Sequence, residues 1–221
     1  MFEQLTPDRI ALGLTTYVVL LFSLSFHESA HAWTASRLGD DTARDLGRVS
    51  LNPIVHIDFL GTVVIPLLQI FGAGIPLLGW AKPTPVVARN FRGSLARGQV
   101  LVAGAGPASN LLLAVAFTVA LAIAVRSGVS PEAGRSLLAI IEAGVLLNLA
   151  LAVFNMVPLP PLDGSWVASW GLPRPLAERY DRVMEPYGQW ILLALFVTGA
   201  IGWVISPLIV VLRELLYRIA T

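Results

Sequence analysis

The sequence predicts an all-α polytopic membrane protein with about four to six spanning segments. Three observations carry that expectation. First, the 221 residues are 56% hydrophobic and only 13% charged; a soluble domain carries about a quarter charged residues, so this supply cannot clothe a water-facing surface. Second, residues 10–26, 59–81, 98–125, 143–162 and 186–212 contain no Asp, Glu, Lys or Arg, and a spanning helix needs about 20 mostly apolar residues. Third, the basic residues gather between these runs. A soluble monomer and a disordered chain are excluded. A net charge of +1 offers no basic field, so no nucleic-acid partner is expected. With no cysteine, disulfides, thiolate nucleophiles and Cys-ligated metals are excluded as well.

Taken in chain order, Thr6-Pro7-Asp8 reads as a helix start: a capping hydroxyl, a proline in the first turn, and an acid near the positive end of the dipole. Glu3 and Asp8 precede the first run, and His-Glu follows it where a signal peptide would carry small residues, so the helix is retained. Arg37, Arg44 and Arg48 place its far end on the cytoplasmic side. Lys82, Arg89, Arg92 and Arg97 follow run 59–81, so both of its ends prefer that side. Pro66, Gly72, Gly74 and Pro76 interrupt the same run, which predicts a re-entrant hairpin or two short passes. A helix then runs outward from Arg97 to Arg126, with Gly104 and Gly106 permitting close helix contact, and another returns by Val157. Residues 174–185 alternate in charge sign and read as a solvated cytoplasmic segment. Residues 186–217 read as one final helix kinked at Pro207.

The chemistry begins where the first run stops, at His27-Glu28-Ser29-Ala30-His31. Side chains at i and i+4 share a helix face, so both imidazoles can reach one metal ion. Glu28 stands beside them as a candidate general base. Three ionisable groups adjoining an apolar run each cost a few kcal/mol unless paired or functional, which favours a metal site over chance.

A catalytic zinc takes three protein ligands and one open position. The acidic candidates are Asp40, Asp41, Asp45, Asp58, Glu142 and Asp163. Asp40 and Asp41 fall past the metal, and Glu142 starts its helix on the far side. Asp58 is a rival, beside the third histidine, His56. Asp163 follows Pro158, Pro160 and Pro161, which forbid regular helix; irregular backbone at membrane depth is tolerated only when buried or lining a wet cavity. Asp8 to His27 spans about 29 Å of helix and Ser136 to Val157 about 32 Å, so both arrive toward the cytoplasmic side. The two sets converge only if run 59–81 crosses an even number of times, as its charge flanks already indicate.

His27-Glu28-x-x-His31 combined with Asn155-x-x-Pro158-x-Pro160-x-Leu162-Asp163-Gly164 resembles the site-2 protease family of intramembrane zinc metalloproteases. Gly106-Pro107-x-x-Asn110 and Gly79-Trp80-Ala81-Lys82-Pro83-x-Pro85-Val86 resemble its compact bacterial and archaeal members, which lack PDZ and CBS domains. The resemblance spans about residues 20–165. It implies a three-helix catalytic core, one Zn2+ held by His27, His31 and Asp163, Glu28 as base, and Asn155 as an oxyanion or substrate-backbone contact. It also implies a membrane-associated β-element, for which residues 48–51 and 83–88 are β-capable and could add a substrate strand. Asn110 reads as an interhelical hydrogen bond or a contact close to the metal, and His56 and Asp58 as a capped turn or supporting groups.

The expectation is a single domain, 1–221, with a catalytic core of about 8–165 followed by a cytoplasmic segment and final helix, 166–221. The expected activity is zinc-dependent hydrolysis of peptide bonds in or near the spans of single-span membrane proteins, in a bacterial inner membrane, with the site toward the cytoplasm. The lipid bilayer is the surrounding partner. The competing reading is a transporter or channel that uses the His, Glu and Asp side chains as a proton or metal pathway.

Overall fold

The computed structural model of the chain describes residues 6–72, 79–130 and 134–220; Glu3, Gly74 and Pro76 lie outside the described residues. Thr6 opens the first helix as its sequence predicts, its hydroxyl accepting from Arg9 N at 3.3 Å. Helix α1 (Pro7–Leu38) runs unbroken through the apolar run and the histidine motif. Gly39, at φ 109°, ends it as a left-handed cap that a residue with a Cβ adopts only under strain. The short α2 (Thr42–Asp45) follows, then a 3-10 turn over Pro53–His56.

The two described arms of the interrupted run, 59–72 and 79–81, meet at their base. A π-helical stretch (Phe59–Val64) leads into α3 (Ile65–Phe71), and the Asp58 carboxylate caps its start, accepting from Gly61 N at 2.7 Å. The returning strand of chain lies against that start. Trp80 N donates to Gly61 O at 3.1 Å, Thr62 Oγ1 to Trp80 O at 2.8 Å, and Lys82 N to His56 O at 2.8 Å. Entry and exit are therefore side by side with no net crossing, in agreement with the matched charge flanks.

The β-element expected at 48–51 and 83–88 does not form: there is no strand among the described residues, and 88–90 is a 3-10 turn. The reason is a shortage of backbone donors. Pro83 and Pro85 have no N–H, while Thr84 N donates to Glu28 and Val87 N to Asp40.

Helices α4 (Leu95–Arg126) and α5 (Arg135–Asn155) pack with α1 as the central trio. Ala114, Val145 and Leu149 fill the α4–α5 seam. On the opposite side of α4, Leu112, Val119 and Ile123 are 72%, 52% and 60% exposed. Their spacing of seven and four residues makes one apolar stripe, suited to hydrocarbon rather than water. Among the described residues, four helices are long and apolar enough to cross a membrane: α1, α4, α5 and residues 200–218. The chain is an all-α polytopic integral membrane protein.

The C-terminal part departs from expectation. After α6 (Gly164–Gly171), α7 (Arg174–Val197) takes in both the charge-alternating segment and Pro186, and Gly199, at φ 74°, separates it from α8 (Ala200–Ala220). A single helix from 186 to 217 is thus replaced by two helices folded on each other. The turn lets Met184, Ile191 and Leu195 of α7 and Ile205 of α8 share one cluster with Val157, Leu159 and Leu162. A straight continuation would leave that apolar surface uncovered by the chain.

Candidate active site

His27 and His31 occupy one face of α1 and are 5% and 7% exposed. Their Nε2 atoms are 3.0 Å apart. Asp163 Oδ2 lies 3.2 Å from His27 Nε2 and 3.4 Å from His31 Nε2. Among the described residues this is the group of three such side chains whose donor atoms come within 4.8 Å of one another. The sequence placed these residues 136 positions apart at the extremes, and the antiparallel path of α1, α4 and α5 joins them.

Hydrogen bonding decides what the three atoms can do. His31 Nδ1 donates to the Val102 carbonyl at 2.7 Å, since a carbonyl only accepts. His27 Nδ1 donates to Asn110 Oδ1 at 2.6 Å. Asn110 is oriented by its amino end, which donates to Asn148 Oδ1 at 2.9 Å and to the Ser23 carbonyl at 3.3 Å. In the neutral rings both Nε2 atoms are therefore bare lone pairs. Asp163 Oδ2, buried and without a hydrogen-bond partner, is a third. Three acceptors facing one another with no proton between them repel unless a cation joins them. Two imidazoles and one carboxylate form a borderline-soft set that fits Zn2+ with an open fourth position.

Gly106 of α4 makes this arrangement possible. A Cβ there would overlap His31 Nε2 and stand 2.6 Å from His27 Nε2. Gly104, by contrast, faces open space, so the expected close contact belongs to Gly106 alone.

Asp163 is delivered by the proline-rich bend. Leu162 N bonds to Leu159 O at 2.9 Å, and Gly164 lies so close under the chain that a Cβ would be 2.6 Å from Val157 O. Helix α7 braces the bend from outside: Tyr180 Oη donates to Pro158 O at 2.9 Å, and a Cβ on Gly188 would be 2.6 Å from Pro160 Cδ.

Glu28 lines a cavity of about 740 Å³ shared with both histidines, Asn155 and Asp163. Thr84 holds its carboxylate through N–H···Oε2 at 2.9 Å and Oγ1–H···Oε2 at 2.8 Å. Asn155 closes α5 on the cavity wall and donates one amide proton to Leu151 O at 2.9 Å, which leaves the second available. Asn110 contacts a histidine and also bonds across helices. His56 and Asp58 are employed at the base of the interrupted run instead: His56 Nε2 donates to Ser50 O at 2.7 Å, and Asp58 caps Gly61.

Asp40, beyond the end of α1, ties the 84–90 segment to the helix. Its buried carboxylate accepts from Thr42 Oγ1 at 2.5 Å, Val87 N at 2.6 Å and Asn90 Nδ2 at 2.9 Å. Burial pushes this carboxyl up, and the hydrogen bonds from Thr42, Val87 and Asn90 outweigh it, leaving it below its ordinary value.

A Bacillus subtilis protein named "Putative zinc metalloprotease YwhC" is 39% identical over 202 residues, which cover 90% of this chain and 88% of that one. The chain belongs to the site-2 protease family. Two mycobacterial relatives, both named Rip2 with the same description, are 34% identical (Mycolicibacterium smegmatis) and 33% identical (Mycobacterium tuberculosis). They are longer: the match covers 82% and 83% of this chain but 66% and 67% of theirs. No family model and no solved structure matches. Within this site-2 protease fold, sequence reading alone passes over Thr84, Asn148 and the α7 brace. Asn148 carried a signal, being an amide inside an uncharged run, where buried amides join helices. Thr84 and Tyr180 carried none, since their partners lie 56 and 22 residues away.

Proposed function

We propose that this chain is a zinc-dependent intramembrane endopeptidase that cleaves single-span membrane proteins in or near their spans. The observation that carries the reading is the convergence of three bare lone pairs, on His27, His31 and Asp163, at the edge of a cavity that also holds Glu28. The descriptions of YwhC and Rip2 support a metalloprotease. Zinc, when bound there, supplies Lewis-acid polarisation of the scissile carbonyl and an acidified water.

The protein's own groups do the rest. Glu28 Oε takes the proton of the attacking water and returns it to the leaving amide nitrogen. Thr84 holds that carboxylate in one position before substrate arrives, so little reorganisation is needed. The free amide proton of Asn155 serves the substrate carbonyl oxygen as charge develops on it. A membrane helix hides its peptide groups, so the cleaved segment must unwind and needs new partners. Pro83, Thr84 and Val86 border the cavity, and the backbone there offers partners to an unwound segment. The basic flanks of α1 and α4 support a site toward the cytoplasmic face of a bacterial inner membrane.

The test is reconstitution into lipid vesicles with candidate single-span substrates. Wild type is expected to cleave, while Glu28→Gln retains zinc by metal analysis and loses cleavage. Cleavage that persists in Glu28→Gln removes Glu28 from the mechanism.

A further inference from the structure

Asn148 reaches the metal corner through one intermediary. It lies on α5 two turns before Asn155 and is 0% exposed, as is Asn110. Its Nδ2 donates to the Gly144 carbonyl at 2.8 Å and to Ser23 Oγ at 2.9 Å. A carbonyl only accepts, so the amino end of Asn148 is fixed toward Gly144 and its Oδ1 faces the other way. There it accepts from Asn110 Nδ2, whose second proton goes to Ser23 O. Asn110 is left to present Oδ1 to His27 Nδ1. The polarity of the whole chain is set by backbone carbonyls at one end and read by an imidazole at the other.

An inverted Asn110 amide would fill nearly the same volume. It would offer a donor to His27 Nδ1 and favour the ring tautomer with its proton on Nε2, aimed at His31 and Asp163 where a cation belongs. We infer that Asn148 is a positioning residue for the metal centre: by fixing the orientation of Asn110, it selects the His27 tautomer whose Nε2 is free to ligate. Packing alone does not ask for an amide here. Val145 and Leu149, one turn-face away on α5, fill the same seam with apolar side chains at 0% and 1% exposure. A buried amide among them is tolerable only because its donors and its acceptor are all engaged.

The inference rests on the metal-site reading above, and zinc binding separates the two. Zinc affinity of the purified full chain is measured by chelator competition, with thermal unfolding alongside. Asn148→Leu is expected to bind zinc about 10- to 100-fold more weakly than wild type. Asn110→Leu should lose a similar factor, and the double variant should bind no more weakly than Asn110→Leu alone, because Asn148 acts only through Asn110. Val145→Ala should lower thermal stability without moving zinc affinity. Should Asn148→Leu not fold, Asn148→Ser is read in the same way. Wild-type zinc affinity in a folded Asn148 variant, or losses that add in the double variant, overturns this inference alone. Failure of wild type to bind zinc overturns the metal-site reading and the inference with it.

Discussion

The two corners of the cavity are held by different kinds of structure. The histidine side of the metal corner is built from helices, with Asp163 added from the proline-rich bend: α1 carries both histidines, α4 supplies Val102, Gly106 and Asn110, and α5 supplies Asn148. Its side chains are buried and both Nδ1 protons are committed to fixed acceptors. The base corner rests on a non-helical segment, where one threonine between two prolines holds Glu28. The contrast separates tasks. Ligand geometry must survive every turnover, whereas the segment beside Glu28 must also admit a substrate chain.

The sharpest way to break this comparison is Gly106→Ala. The new methyl overlaps the ligating atoms themselves, so zinc content should fall to background by metal analysis, while Gly104→Ala retains it. Equal zinc in both variants would mean the metal corner is not rigid. Next comes Thr84→Val, which removes the hydroxyl but keeps the backbone donor to Glu28. Zinc content should be unchanged and kcat should drop about tenfold, the equivalent of about 1.4 kcal/mol; a loss of zinc instead would join the two corners into one unit.

Smaller effects test the supports. Asp40→Asn should cost about 1–3 kcal/mol of stability, because four donors, Thr42 N among them, lose a charged acceptor. Its folded carboxyl sits below the ordinary value, so its stabilisation is complete above about pH 4 and is lost as pH falls through the folded value. Wild type should therefore lose thermal stability on acidification through that range more steeply than Asp40→Asn. Tyr180→Phe, which removes one hydrogen bond to the bend bearing Asp163, should cost about 1 kcal/mol in thermal unfolding and leave the Glu28 corner untouched.

The legibility of these parts in the sequence follows the range of the interactions. The Thr6 cap, the i, i+4 pair His27 and His31, and the matched charge flanks of the interrupted run are local signals, and each reappears in the structure. Asp163 was legible because prolines and an acid at membrane depth demand a reason. The β-element was overestimated: residue types allowed extended chain, but Pro83 and Pro85 have no N–H and those of Thr84 and Val87 are already used. The last two helices were merged because an uncharged run does not disclose a turn made by Gly199 and stabilised by packing on the proline bend.

By itself the sequence determined the solvent, a polytopic all-α class and the identities of the candidate ligands, since charge deficit and i, i+4 spacing are properties of the chain alone. Only the tertiary structure decided which lone pairs are bare, which glycine is indispensable and what holds Glu28. Those depend on groups 71 to 125 residues apart for His31, His27 and Ser23, and 56 apart for Glu28, meeting within about a hydrogen-bond length. No local pattern encodes such a meeting, because the direction of a hydrogen bond is fixed by the partner that packing brings to it.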